Sequence, residues 1–193
     1  MRFTEALKHL TVHAGLYRPA RRVIRRLRHA DLVKFREHVA FYRRLPPGSL
    51  CFDVGANIGE VSEALLRAGH RVVAFEPNPD VLPELRARCD HHPAWRLLPV
   101  GVGSEAAVLP FYAAKASASS SFCPGWEQRE LAGVHHVPVL PLELVIRSIG
   151  TPAYCKIDVE GFEEEVLAGL ETPIALVSFE YHRDAPERAI GCL

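Results

Sequence analysis

Leu50-Cys51-Phe52-Asp53-Val54 runs directly into Gly55-Ala56-Asn57-Ile58-Gly59, and Glu60 to Ala68 follow. The first five residues form a short, mostly apolar run of strand length. The two glycines supply a turn in which backbone can approach a ligand closely. Glu60–Ala68 sets Val61 and Leu65 on one face and stops at Gly69, which predicts a helix. The first turn of that helix offers unpaired N–H groups. In open α/β sheets, ligands bind beyond the carboxyl end of such a strand.

The pattern repeats outward from this unit. Arg71–Phe75 predicts a second strand, and Asp80 is placed to cap a helix carrying Leu82, Leu85 and Cys89. Trp95–Val102 predicts a third strand. Strands and helices alternating at this spacing imply an α/β chain with a doubly wound, mostly parallel sheet. The middle is less regular. Ala107–Ala113 predicts a strand, Ser117–Ser121 a small mobile polar loop, Val137–Leu140 a strand and Leu142–Ile149 a helix. Tyr154–Val159 predicts a buried strand, Phe162–Leu170 a helix and Ile174–Tyr181 the last strand.

The 193 residues have a formal net charge of zero, so no overall field draws the molecule to nucleic acid. Residues 1–50 nevertheless carry 12 Lys and Arg against 3 Asp and Glu, and residues 51–193 carry 11 against 20. Residues 1–48 therefore read as a basic helical extension and 49–193 as the main domain. Leu32, Phe35, Val39 and Tyr42 recur at helical spacing and predict one buried face. Arg21, Arg22, Arg25, Arg26 and Arg28 crowd the stretch before it. Few aromatics interleave these arginines, which disfavours base stacking. A solvated helical face, an anionic substrate contact and a weak membrane-surface contact remain open for this segment. The five cysteines include no CxxC pair, as expected of reduced thiols in a cytoplasmic protein. No apolar run reaches the ~20 residues of a membrane span, and no signal-peptide core is present.

The turn also discriminates between ligands. A dinucleotide site needs G-x-G-x-x-G to seat a pyrophosphate. Here the glycines are spaced G-x-x-x-G, and Asp53 would repel a phosphate. S-adenosylmethionine carries an ammonium and a sulfonium and no phosphate, so it suits an acidic turn. Glu76-Pro77-Asn78 ends the second strand, with Glu76 17 residues after Gly59. An acid at about this offset, ~20 residues on, commonly accepts the ribose hydroxyls. Lys156-Ile157-Asp158-Val159-Glu160-Gly161 sets two more acids at a strand end, and period-2 alternation points Asp158 and Glu160 the same way. Helix capping by either acid is the competing structural reading.

Taken in order, DVGANIG, FEPNP and KIDVEGFEEEVLAGL resemble the FkbM-type family of class I, Rossmann-like methyltransferases over roughly residues 50–182. The resemblance implies transfer of a methyl group from S-adenosylmethionine, usually to a hydroxyl of a small molecule or sugar. It implies cofactor contacts at Asp53, Gly55, Ala56, Asn57, Gly59, Glu76, Pro77 and Asp158. A hydroxyl acceptor also needs a base, for which Asp158, Glu160 and His182 are the candidates. His182 follows Glu180 at the end of the last strand, whereas His135-His136 reads as surface. A metal could sit among Asp158, Glu160 and His182, but no spacing demands one.

Relatives of this fold complete seven strands, and the sequence supplies no residues for the last two. Strand 174–181 is then expected to be a long apolar edge, open to pairing with a second copy. A non-catalytic cofactor-binding domain and a dinucleotide-dependent oxidoreductase are the alternatives to an active O-methyltransferase.

Overall fold

Five consecutive buried residues, Leu50–Val54, make a strand that is covered on both faces (β1). In the computed structural model, which describes residues 32–126 and 130–179, β1 is the middle of a five-stranded sheet. Arg71–Phe75 (β2), Trp95–Leu98 (β3), Tyr154–Ile157 (β7) and Val177–Phe179 (β8) complete it in the order β3-β2-β1-β7-β8. Every pairing in it is parallel. Helices Glu60–Arg67 (α1), Leu82–Cys89 (α2), Leu142–Ile149 (α3) and Glu163–Ala168 (α4) supply the crossovers. This is the doubly wound sheet that the alternation predicts.

Alternation along the strands divides the core. Leu50, Phe52 and Val54 join Val73 and Phe75 on one face, packed against Leu142, Val145, Ile146 and Val166 of α3 and α4. The Phe52 and Phe75 rings meet edge to face, with centroids 5.4 Å apart. Asp53 faces the other side, toward Ser62 of α1. That helix ends as its glycine predicts. Gly69 takes φ +95°, its N–H donates to the Leu66 carbonyl, and the His70 N–H donates to that of Leu65. These two bonds satisfy carbonyls that the helix end would otherwise leave unpaired.

Five expectations need correction. The third strand does not run to Val102. Pro99 lacks an N–H for the ladder, the Val100 N–H turns back to the Leu98 carbonyl, and Gly101–Gly103 (β4) enters a second sheet. That sheet has the order β4-β6-β5, from Ala107–Ala114 (β5) and Leu131–Pro141 (β6), with β5 and β6 antiparallel and β4 parallel to β6. Residues 131–136 are thus strand, extending the run expected at Val137–Leu140. Asp80 does not cap α2: Val81 holds that position, and the Asp80 carboxylate lies 3.3 Å from His135 Nε2. The Ser117–Ser121 stretch is not a loose loop. Ser117–Ser119 form a 3-10 turn, the Ser120 hydroxyl accepts from the Ala114 N–H, and Ser121 pairs with Tyr112. The last expected strand begins at Val177 rather than Ile174 and is described as far as Phe179; residues 180 and 181 lie outside the described residues. The expected helical start at residues 185–193 lies outside the described residues.

Two compact units divide between Phe41 and Tyr42. In the first, the described residues form helix from 32 to 41, with Val39 buried and Leu32 57% exposed, so Leu32 is not on a covered face. The arginine cluster at residues 21–28 lies outside the described residues. Among the described residues, no helix is long and apolar enough to cross a membrane.

Candidate active site

The carboxyl ends of β1, β2 and β7 converge with residues of the second sheet on a cleft. Gly55, Asn57, Glu76, Pro77, Asp158 and Glu160 line it, so six of the residues named from sequence meet in one place. Asp53, Ala56 and Gly59 lie outside its wall, and His182, with Glu180 beside it, lies outside the described residues.

The glycine turn explains its own composition. Gly55 has φ +78°, and a Cβ there would run into the carbonyl of Asp158. Backbone of the β1 turn and backbone at the end of β7 therefore touch. The N–H groups of Gly55 and Ala56 both donate to the Phe75 carbonyl at 3.0 Å, and the Asn57 N–H donates to Glu76 Oε2 at 2.6 Å. The N–H groups of Gly55, Ala56 and Asn57 are thus satisfied within the protein.

Glu76 closes the β2 end of the cleft. Oε2 takes the Asn57 N–H, and Oε1 takes the Asn78 N–H at 2.8 Å. Only 5% of the residue is exposed. Burial pushes its carboxyl up from 4.5 to about 7, against the lowering effect of the Asn78 and Asn57 N–H groups and of Lys156. Asn57 stands beside it at φ +46°, and its side-chain oxygen is buried with no hydrogen-bond partner among the described residues. An orphaned acceptor in a cleft is a group that a bound molecule with donors would satisfy.

Asp53 is fully buried behind the turn rather than in the cleft wall. Its Oδ2 accepts from the Ser62 hydroxyl at 2.7 Å, and its Oδ1 is 3.8 Å from Lys156 Nζ. It supports the turn from below.

At the β7 end, Asp158 Oδ2 lies 2.9 Å from Lys156 Nζ. The strand stops at Ile157, and Glu160 takes φ +54°, so simple alternation does not carry through to Glu160. Both acids still line the cleft. Neither caps α4. The N-cap position is Phe162, with no side-chain bond, and Glu163 instead ties the loop before the helix, its Oε1 accepting from the N–H groups of Val159 and Gly161 at 3.1 and 3.3 Å. Glu160 is held by the segment after β5: Trp126 Nε1 donates to its Oε2 at 3.1 Å, and the Ser121 hydroxyl donates to its carbonyl at 2.6 Å. Gly161 is needed beneath Trp126, because a Cβ there would enter the indole ring.

The remaining wall was not named from sequence. Val100, Gly101 and Val102 after the broken strand, Phe111 on β5, and Ser117, Ser120 and Phe122 complete the cleft. Phe122 packs 5.0 Å from both Phe111 and Phe162 and lies over Gly101, where a Cβ would strike its ring. The signal for this wall was weak, because Phe122 follows five small residues that resemble a turn.

A family model described as the methyltransferase FkbM domain matches residues 53–189. Hexuronic acid methyltransferase AglP of Haloferax volcanii is 29% identical over 131 residues, covering 66% of this chain and 52% of that protein. The chain thus spans about half the length of the curated relative that it matches. Among solved structures, precorrin-6y C5,15-methyltransferase from Geobacter metallireducens superposes with a TM-score of 0.47 at 15% identity, over 82% of this chain and 66% of that one. A TehB-like SAM-dependent methyltransferase from Corynebacterium glutamicum gives 0.44 at 13% identity, over 90% and 83%.

Proposed function

This chain belongs to the FkbM family of methyltransferase domains, and on that premise we propose that it binds S-adenosylmethionine in the strand-end cleft and methylates a hydroxyl of a small molecule or sugar. The observation that carries the reading is the buried Glu76 carboxylate, clipped to the Asn57 and Asn78 N–H groups at the cleft end of β2. Each of its oxygens takes one backbone donor and keeps a lone pair for a ribose hydroxyl. The orphaned Asn57 oxygen fits the same ligand. Gly55, Asn57, Glu76 and Pro77 would hold it, with Asp53, Ala56 and Gly59 shaping the turn from behind.

When bound, S-adenosylmethionine supplies a methyl group on a sulfonium, a leaving group that needs no proton. The chain's own tasks are then to orient the acceptor and to take its hydroxyl proton. Asp158, Glu160 and His182 are the candidates for that base. The strand-end acids line the cleft opposite Glu76, and Phe111, Phe122, Ser117 and Ser120 offer the acceptor apolar and hydroxyl surface. A sugar acceptor is favoured by the likeness to the hexuronic acid methyltransferase. A cytoplasmic setting is in keeping with Cys51, Cys89 and Cys155, which are buried thiols outside any disulfide.

Titration calorimetry with S-adenosylmethionine tests the reading. Wild type is expected to bind, and Glu76→Ala to bind at least tenfold more weakly, the scale of one charge-assisted hydrogen bond of about 1.5–3 kcal/mol. Equal affinity in the variant rejects the ribose assignment. Binding without a methylated product across a panel of hydroxylated acceptors supports the non-catalytic alternative.

A further inference from the structure

Lys156 is a charged residue in an interior strand whose other three members, Tyr154, Cys155 and Ile157, are buried. Strand register places it directly beside Asp53 of β1, and Asp158 follows two residues on. Its ammonium lies 2.9 Å from Asp158 Oδ2 and 3.8 Å from Asp53 Oδ1, and it donates to the Gly55 carbonyl at 3.1 Å. Gly55 and Asp158 line the cleft, whereas Lys156 and Asp53 stand behind it. A buried cation is weak evidence for stability, since apolar residues of similar volume often serve the fold as well or better. Its contacts are all with backbone and acids of the site.

We propose that Lys156 is a positioning residue: its ammonium ties the Gly55 carbonyl and the Asp158 carboxylate into one unit and supplies the positive charge that lets Asp53, Asp158 and Glu76 share one end of the sheet. This rests on the cofactor reading given above. The groups facing the ammonium are Asp53 from β1, Tyr154 and Asp158 from β7, and Glu76 at the end of β2. Burial alone lowers the lysine's pKa, but Asp53 and then Asp158 more than offset it, and the pKa is raised, so the ammonium stays charged. At Glu76, burial acts upward first, then the Asn78 and Asn57 N–H groups and Lys156 act downward, and Asp53 acts upward. Removing the lysine charge takes away one of the influences that lower the Glu76 pKa and leaves that of Asp53, which raises it. The carboxylate that holds a ribose then forms only at higher pH.

The experiment is calorimetric titration of the full chain with S-adenosylmethionine from pH 6 to 9, in wild type, Lys156→Met and Lys156→Arg. Wild-type affinity should rise through a midpoint near pH 7. In Lys156→Met that midpoint should move to higher pH, a several-fold loss of affinity at pH 7 that narrows by pH 9. Lys156→Arg should return the midpoint to the wild-type position. A loss in Lys156→Met of the same factor at every pH reveals a merely structural lysine and overturns the proposal. Should Lys156→Met not fold, Lys156→Gln, which keeps N–H donors and loses only the charge, must show the shift; an unmoved profile overturns the proposal equally. Wild type that binds no cofactor at any pH defeats the cofactor reading itself, and superimposable profiles in a binding wild type and its variants defeat only the role of Lys156.

Discussion

Glu76→Gln should free the unliganded protein of a loss of stability that sets in toward alkaline pH, while weakening its hold on S-adenosylmethionine. Glu76 is 5% exposed, and burial raises its carboxyl from 4.5 to about 7. Between those values the unfolded chain has released the proton and the folded chain still holds it. The unfolded state then binds fewer protons, so wild-type stability falls as pH rises through this window. Above pH 7 the deficit is complete, at about 3 kcal/mol. Glutamine does not titrate, but its amide nitrogen cannot accept the N–H that one of the two carboxyl oxygens takes, a pH-independent cost of about 1–3 kcal/mol. The stability difference between the two proteins should therefore shift in the variant's favour by about 3 kcal/mol between pH 4.5 and pH 8. For a domain of this size that shift is roughly 6–12 °C in Tm. Differential scanning calorimetry at pH 5 and pH 8 without cofactor reads it directly. A gap of the same size at both pH values would refute the argument, because it would mean that Glu76 is ionised in the folded state throughout. Excess S-adenosylmethionine should move the difference at pH 8 back toward the wild type by stabilising it more than the variant.

Two substitutions test the frame around the cleft. Gly55→Ala meets both a positive φ and the Asp158 carbonyl, so urea melts should show a loss of about 3 kcal/mol or more, together with loss of cofactor binding; a loss under ~1 kcal/mol would mean that the turn can move away from β7. Ser62→Ala removes the hydroxyl donor from the fully buried Asp53 Oδ2, and the same melts should report about 1–3 kcal/mol, with a silent substitution counting against a stabilising Ser62–Asp53 bond.

The parallel sheet was legible because its central strands β1, β2 and β7 are largely buried and read as short, mostly apolar runs between turns. Helix Leu142–Ile149 matched to the residue, since its apolar spacing sits between Pro141 and Gly150. Glu76, Asp158 and Glu160 were legible as cleft residues because strand ends define where ligands bind. Asp53 was legible as important, but not as a residue behind the turn, because sequence does not show that Ser62 and Lys156 approach it from α1 and β7. Lys156 itself was quoted only as part of a motif, since a lysine in a strand is usually a solvated one. The second sheet was half seen. Residues 131–136 of β6 include Gly133 and two histidines, which dilute the strand signal, and their partner strand lies 17 or more residues back in the chain. Phe122 drew no attention because its neighbours, rather than its own type, suggested a turn.

The break at Pro99 has a consequence for how such a chain can diversify. It hands the polypeptide from the parallel sheet to the antiparallel hairpin between one strand and the next. The cleft residues at the ends of β1 and β2 and those on and just after β5 are consequently encoded in separate, contiguous stretches of the gene. The connection from residue 115 to 130 can lengthen, shorten or be exchanged without altering a codon of the glycine turn or of Glu76, and such a change would reshape the Ser117–Phe122 wall and the hold of Ser121 and Trp126 on Glu160 while leaving the β1 and β2 ends as they are.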